Sequence, residues 1–143
     1  MQFRCDGLEL SDAISVVSKA ISGKTTSQIL EGIKMVCTDD KLVLTATDLE
    51  ISIEKTIRAE VISSGETVVP GRLFGEYIKK LTNEQIECEL NERNQLKISY
   101  TDSEGVLQCM DVSEFPSLKE VEKNNFFEIN KDDFRALINN VYY

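Results

Sequence analysis

The side chains able to support nucleophilic or metal chemistry are few and far apart. Histidine is absent, which excludes Ser-His and Cys-His catalysis and every histidine-ligated metal site. The four cysteines form no C-x-x-C pair of the kind that zinc sites use; they are Cys5, Cys37, Cys88 and Cys109. We therefore expect no catalytic residue, no metal site and no cofactor. Cysteine is among the residue types most often buried, so we interpret all four as reduced residues of the core.

Carboxylates are the remaining candidates for chemistry. Thr47 and Asp48 follow an apolar run, but no second carboxylate stands at a ligand spacing, which favours a role in the turn at the end of a strand. Asp132 and Asp133 fall in the first turn of an amphipathic segment, where acidic side chains interact favourably with the helix dipole. An enzyme would need ionisable groups clustered in a pocket, and no spacing here supports such a cluster.

Charge and length restrict the remaining classes. The 143 residues are enough for one well-packed domain and short for two. The net charge is −9, from 16 basic and 25 acidic residues, so a nucleic-acid role requires that positive charge be concentrated on one face. No apolar stretch approaches the roughly 20 residues that span a bilayer, and the first residues do not resemble a secretory signal. We therefore expect a cytoplasmic protein that does not contact membranes.

Two series of apolar residues alternate with polar ones and predict antiparallel strands covered on one side. The predicted strands lie within residues 33–37, 42–44, 49–53, 86–90, 96–100 and 106–110. Polar stretches between them predict turns, at residues 38–41, 91–94 and 101–105.

Three amphipathic segments predict helices. The first covers residues 8–21, the second begins at Pro70, whose fixed φ suits a first helical turn, and the third begins at Lys131. The apolar face of the second is predicted to consist of Leu73, Phe74, Tyr77, Ile78 and Leu81. A strand precedes each helix, and the equivalent strand residues Cys5, Val69 and Ile129 are 64 and 60 residues apart. Near-equal spacing of this kind is typical of a pseudo-symmetric repeat fold.

A polar segment without periodicity separates the second strand series from the third helix. It follows Pro116, which cannot donate to a strand ladder. We predict a first domain over residues 1–118, a linker over 119–125 and the start of a second domain over 126–143. The third helical pattern is unfinished at Tyr143, so we expect the sequence to be a piece of a longer protein.

Three motifs resemble those of the bacterial sliding clamps, the beta subunits of DNA polymerase III. Residues 45–53 read TATDLEISI, residues 68–74 read VVPGRLF against the family's VVPARLF, and residues 110–116 read MDVSEFP, like the segment that closes the family's first domain. The spacing of the motifs follows the N-terminal part of the family along the whole chain.

The resemblance implies an α+β fold, the DNA-clamp fold, in which two β-α-β-β-β motifs place their helices on one face of antiparallel sheets. It also implies a homodimeric ring with three similar domains in each subunit. Such a ring encircles duplex DNA without sequence preference and tethers the replicative polymerase, without catalysing a reaction. In the family the polymerase and the clamp loader bind through domains that lie beyond this sequence.

The helices of the family line the hole of the ring, so exposed cations on them are candidate DNA contacts. These are Lys24, Arg72, Lys79, Lys80 and Arg135. The first helix presents serines rather than charges on this side, which suits sliding. Surface cations are also commonly solvated or paired, and Glu76 stands at i+4 from Arg72.

The strand over residues 103–109 corresponds to the edge through which the family's subunits meet. It supplies Val106, Leu107 and Cys109 as candidate interface residues but lacks the arginine and phenylalanine that are common there, so the ring-closing contact differs in strength or in partner charge. The alternative function is a protein-interaction domain that never binds DNA. The two hypotheses differ in whether the cations share one concave face or scatter over both.

Overall fold

Strands and helices of the chain follow the predicted alternation of sheets and amphipathic helices. The computed structural model describes residues 1–21, 23, 27–118 and 124–142. The strands are β1 (Gln2–Asp6), β2 (Gly32–Thr38), β3 (Lys41–Thr47), β4 (Ser52–Arg58), β5 (Glu60–Ser63), β6 (Gly65–Pro70), β7 (Gln85–Leu90), β8 (Gln95–Tyr100) and β9 (Ser103–Gln108). The helices are α1 (Gly7–Val17), α2 (Gly71–Ile78) and α3 (Lys131–Val141), with 3₁₀ turns at Ser18–Ala20, Gln28–Glu31 and Val112–Glu114.

The two sheets are built by an exchange of strands between two β-α-β-β-β motifs. The first motif is β1-α1-β2-β3-β4 and the second is β6-α2-β7-β8-β9. The five-stranded sheet has the order β5-β1-β7-β8-β9 and the four-stranded sheet the order β4-β3-β2-β6. The first strand of each motif thus pairs, antiparallel, with a strand of the other motif, β1 with β7 and β6 with β2. The predicted fold class is confirmed.

Helix α1 begins where the side chain of Asp6 replaces missing backbone partners. Asp6 Oδ1 accepts hydrogen bonds from the backbone N–H groups of Leu8 and Glu9, each at 3.0 Å, and a cap of this kind stabilises a helix by about 1 kcal/mol. The helix ends at Val17 and continues as a 3₁₀ turn to Ala20. The prediction of one helix over residues 8–21 was therefore too long by about a turn.

The core lies between the helices and the inner faces of the sheets. From α1 it takes Leu10, Ala13, Ile14 and Val17, and from α2 it takes Phe74 and Ile78. Inward-facing strand residues complete it, among them Phe3, Ile33, Leu42, Leu44, Ile86, Leu96 and Ile98. Gly75 lets α1 and α2 pack closely, since a Cβ at this position would lie 3.2 Å from the Ile14 side chain.

The strand predicted over residues 49–53 begins later, because a hydrogen-bonded turn precedes it. Thr47 Oγ1 accepts from the N–H of Leu49 at 3.0 Å, and Asp48 Oδ1 accepts from the N–H groups of Glu50 and Ile51 at 3.0 and 2.7 Å. These bonds occupy backbone donors that a sheet would otherwise use. The N–H of Ile51 is the main cause that lowers the pKa of the Asp48 carboxyl. The prediction that Thr47 and Asp48 serve the turn is confirmed.

Two other strand predictions need correction. The turn predicted over residues 101–105 is confined to Thr101 and Asp102, because β9 begins at Ser103. Strand β5 was missed, although its pairing with β1 extends the five-stranded sheet. The turn predicted over residues 38–41 is confirmed in its place, with Asp39 and Asp40 both at positive φ.

All four cysteines are buried, as predicted. Burial raises the pKa of the Cys5 thiol to about 12, with smaller contributions from the charges of Asp6 and Glu9. Burial also raises the pKa of Cys88 well above its ordinary value. The thiols therefore stay protonated in the folded chain.

Helix α3 stands apart from this core. Asn130 Oδ1 accepts from the N–H of Asp132 at 2.9 Å and caps the helix, and Asp132 and Asp133 lie in its first turn as predicted. Every described residue from 124 to 142 is exposed, including the apolar side chains Phe134, Leu137, Ile138 and Val141. Most of the predicted linker, residues 119–123, lies outside the described residues.

Replacement of Leu49 by asparagine should stabilise the chain. Leu49 has φ 77°, a conformation that costs a bulky residue on the order of 1–3 kcal/mol and that asparagine tolerates better. We expect Leu49→Asn to raise the free energy of unfolding by about 0.5–1 kcal/mol, measured by urea denaturation. Ile51→Asn is the matched control, because Ile51 is 57% exposed against 68% for Leu49 and has no positive φ; an equal gain in both variants would contradict the strain.

The core thiols should resist alkylation until the chain unfolds. The thiolate is the reactive form of cysteine, and at pH 8 a pKa of about 12 leaves roughly one thiolate in ten thousand. We expect Cys5 to react with iodoacetamide about a thousandfold more slowly in the folded chain than in urea, as measured by mass spectrometry of peptides. Labelling at equal rates in both conditions would show that the site opens to solvent.

Candidate nucleic-acid interface

A shallow groove separates α1 from α2 on the side of the helices that faces away from the sheets. Its volume is about 380 Å³. Small residues keep it open, and polar side chains follow its two sides. It is lined by Ile14, Ser15, Ser18, Ile21, Gly71, Arg72, Gly75, Glu76 and Lys79.

The side of the groove formed by α2 carries its charges in one row. Phe74 and Ile78 turn toward the core, so Arg72, Glu76 and Lys79, at i, i+4 and i+7, follow the opposite side of the helix. Arg72 Nε lies 3.1 Å from Glu76 Oε1, and the Arg72 side chain is 92% exposed. The predicted pair between them is confirmed, and exposed pairs of this spacing contribute about 0.3–0.5 kcal/mol.

The structure brings together two of the five candidate cations. Arg72 and Lys79 line the groove. Lys80 is exposed just after α2 but does not line the groove, and Arg135 lies on the exposed helix α3. Lys24 lies outside the described residues. A contact of all five with DNA therefore stays a prediction.

Acidic residues of the helix layer lie on its other flank. Glu9 and Asp12 on α1 line a separate groove against β3 and β4, together with Lys41, Lys55 and Arg58. Among the described residues, Glu76 is the one carboxylate that lines the groove between the helices. Cations thus outnumber acids in both grooves, by two to one between the helices and by three to two against β3 and β4, although the chain carries a net charge of −9.

Three cations on the sheets, Arg4, Lys34 and Lys97, are paired with acids. Arg4 Nε lies 2.8 Å from Glu87 Oε2, and a second guanidinium nitrogen of Arg4 lies 3.8 Å from Glu60 Oε2. On the other sheet Lys34 Nζ lies 2.9 Å from Glu66 Oε2. Strands β8 and β9 add the pair of Lys97 and Glu104 at 2.7 Å. These pairs reduce the attraction that the sheets exert on an anion, whereas Lys79 in the groove forms no salt bridge with any carboxylate in the described part of the chain.

The candidate subunit interface is β9, one of the two outer strands of the five-stranded sheet. Strand β9 pairs with β8 and has no neighbour on its other side among the described residues. Val106 is 61% exposed, whereas the side chains of Leu107 and Cys109 belong to the core. Leu107 and Cys109 can therefore contribute to an interface through their backbone and not through their side chains.

An apolar patch beside β9 was not anticipated from the sequence. Leu73 was expected on the buried stripe of α2 but is 55% exposed, and with Val106 it flanks a small pocket that Tyr77, Ile98, Gly105 and Leu107 complete. The Tyr77 ring meets Tyr100 edge to face at a centroid distance of 6.2 Å. The sequence shows that Leu73 and Val106 are both apolar, but only the tertiary structure brings them to the same pocket.

Within the described residues, no three histidine, cysteine, aspartate or glutamate side chains are grouped so that they could hold a metal ion. The same part of the chain contains no helix long and apolar enough to cross a membrane.

Comparison with known families gives one consistent match. The sequence model of one protein family, described as DNA polymerase III beta subunit, N-terminal domain, matches residues 1–119. The beta sliding clamp of Staphylococcus epidermidis is 37% identical over 128 residues, which cover 84% of the chain. That of Bacillus subtilis is 32% identical and covers 96% of the chain. The chain spans 34% and 39% of the length of these two relatives.

Solved structures agree with the sequence relatives. The crystal structure of the DNA polymerase sliding clamp from Bacillus subtilis has a TM-score of 0.91 and 32% identity, and covers 96% of this chain and 38% of its own. The beta subunit from DNA polymerase of Streptococcus pyogenes also has a TM-score of 0.91, with 28% identity and the same coverage of both chains.

Replacement of Gly105 by alanine should destabilise the chain. A Cβ at this position would overlap the Tyr77 hydroxyl and lie 2.7 Å from Tyr77 Cζ, and overpacking of this kind costs about 1–3 kcal/mol. Urea denaturation should show this loss for Gly105→Ala and its partial recovery when Tyr77→Leu removes the hydroxyl. Gly23→Ala is the control, because no atom of the described residues lies within 4 Å of a Cβ there; a similar loss at Gly23 would contradict the explanation by overlap.

Proposed function

The chain belongs to the family of the DNA polymerase III beta subunit, and we propose that it forms the N-terminal part of a sliding clamp. The clamp is a non-catalytic processivity factor that encircles duplex DNA as a ring and holds the replicative polymerase on it. The observation that carries the proposal beyond the family is the row of Arg72 and Lys79 along the groove between α1 and α2.

The arrangement of charge supports weak and sequence-independent contact with DNA. Arg72 and Lys79 lie on the exposed side of the helices, and each phosphate that such a cation neutralises adds about −0.9 to the slope of log K against log salt. Serines line the other side of the groove and add no charge. A few such contacts attract DNA without fixing its position. Lys24, Lys80 and Arg135 are proposed as further contacts of the same kind.

Closure of the ring is proposed at β9. The unpaired edge of an outer strand can accept a strand from another chain, and Val106 adds an exposed apolar side chain there. Leu107 and Cys109 would take part through their backbone. The partner edge belongs to a second copy of the full-length protein, so the ring is a homodimer.

The remainder of the protein supplies the other proposed partners. Residues 1–118 form the first domain, residues 119–125 a linker and residues 126–143 the start of a second domain. The exposed apolar side chains of α3 support this division, because they need a partner that the described residues of 1–118 do not provide. The polymerase and the clamp loader bind through later domains, and the protein acts in the cytoplasm.

The full-length protein should be held on DNA by topology. After loading onto nicked circular DNA by the clamp loader of the same organism, it should remain bound during gel filtration at high salt, because a closed ring needs no strong contact. Cutting the circle should release it. The isolated 143-residue chain should not be retained on either DNA.

Two outcomes would contradict the proposal. Full-length protein that binds its loader and polymerase but is never retained on the circle would support the alternative, a protein-interaction domain without DNA binding. Retention of the isolated chain on circles, with loss on linearisation, would show that residues 1–143 close on DNA without further domains.

A further inference from the structure

Glu76 occupies an unusual place among the charges of the groove between α1 and α2. It lies on α2 one turn after Arg72 and one turn before Lys79, and all three line the groove. Because residues at i, i+4 and i+7 share one side of a helix, the carboxylate stands between the two cations that the proposed function assigns to DNA. It is the one carboxylate in the groove among the described residues.

In the absence of DNA, Arg72 is engaged by this carboxylate. The distance from Arg72 Nε to Glu76 Oε1 is 3.1 Å, and the Glu76 side chain is 60% exposed. No other polar partner of Arg72 is found in the described part of the chain. An exposed pair at this spacing is weak, and it shifts an equilibrium by only about a factor of two.

A DNA phosphate and the Glu76 carboxylate compete for the same group. Both present anionic oxygens that suit the fork of N–H donors on a guanidinium. A phosphate that binds Arg72 must displace Glu76, and the displaced carboxylate stays within one helical turn of the phosphate, where like charges repel. The contact between Arg72 and a phosphate is therefore weaker than it would be without Glu76.

We infer that Glu76 is a built-in competitor that weakens the contact of Arg72 with DNA and thereby promotes sliding. The inference rests on the proposed DNA contact of Arg72. Successive phosphates of one strand are about 3.4 Å apart along the axis of a duplex, so movement requires Arg72 to leave one phosphate before it meets the next. Glu76 receives the guanidinium between phosphates, and Arg72 is never left without an anionic partner.

The test replaces Glu76 by glutamine in the full-length protein. The change removes the charge, keeps the size of the side chain and hardly alters helix propensity. Binding to a fluorescein-labelled short duplex is measured by anisotropy over a range of KCl concentrations. Glu76→Gln should tighten binding about 2- to 5-fold for each Arg72 that reaches a phosphate. It should steepen the salt slope by up to about 0.9 for each such contact.

Glu92→Gln is the matched control. Glu92 is exposed in the turn between β7 and β8, so its replacement changes the net charge equally but leaves the groove intact. On circular DNA, single-molecule tracking of the loaded ring should show slower diffusion for Glu76→Gln and unchanged diffusion for Glu92→Gln. A merely structural role of the surface pair would not slow diffusion.

Arg72→Gln distinguishes the DNA contact of Arg72 from the competition by Glu76. If it weakens DNA binding and abolishes the gain of Glu76→Gln in the double variant, the competition is supported. Equal behaviour of Glu76→Gln and Glu92→Gln, with weaker binding by Arg72→Gln, would overturn the competitor and leave the DNA contact in place. If Arg72→Gln binds DNA as the natural protein does, the contact proposed for Arg72 falls as well.

Discussion

The exchange of first strands between the two motifs is the constraint on which the rest of the structure depends. Strand β1 completes the sheet of the second motif and β6 completes that of the first, so neither motif can form a sheet with a full core face by itself. Because each helix directly follows its exchanged strand, the exchange also sets α1 and α2 side by side. Gly75, whose added Cβ would press on Ile14, lets them approach. The groove between the helices is thus a consequence of how the two sheets are completed.

The same constraint separates the surfaces of the molecule. The inner faces of both sheets form the core. The helices present the groove to solvent, and the strands present several paired charges. Among the described residues, one edge of β9 has no strand partner. In the ring that we propose, these surfaces would have different tasks: the groove would meet DNA, and the edge would meet another subunit. A strong interaction is useful only at the edge, because a strong interaction in the groove would oppose sliding.

Much of this arrangement follows from periodicity, and the exceptions have physical causes. Alternation of apolar residues located most strands, and the 64-residue spacing of Cys5 and Val69 reflects the two motifs. Leu49 fits the same alternation but lies in a turn, because the Thr47 and Asp48 side chains take backbone N–H groups. Leu73 fits the buried stripe but is exposed, since α2 has only eight residues and lies at the margin of the sheet beside β9. Which neighbour covers a side chain is a tertiary property, and spacing along one segment cannot supply it.

In the proposed ring, the distribution of charge decides which contact must be strong, the one with DNA or the one between subunits. A chain of net charge −9 repels DNA at a distance, and three cations of its sheets are held by Glu87, Glu66 and Glu104. The groove offers Arg72 and Lys79, and Glu76 already engages the first of them. On the proposed function, affinity for DNA would be too small to keep the protein bound, so persistence on DNA would depend on closure at β9. There the contribution comes from backbone groups and from the exposed apolar pair of Leu73 and Val106, which makes the lifetime of the ring a property of its edges and its mobility a property of its groove.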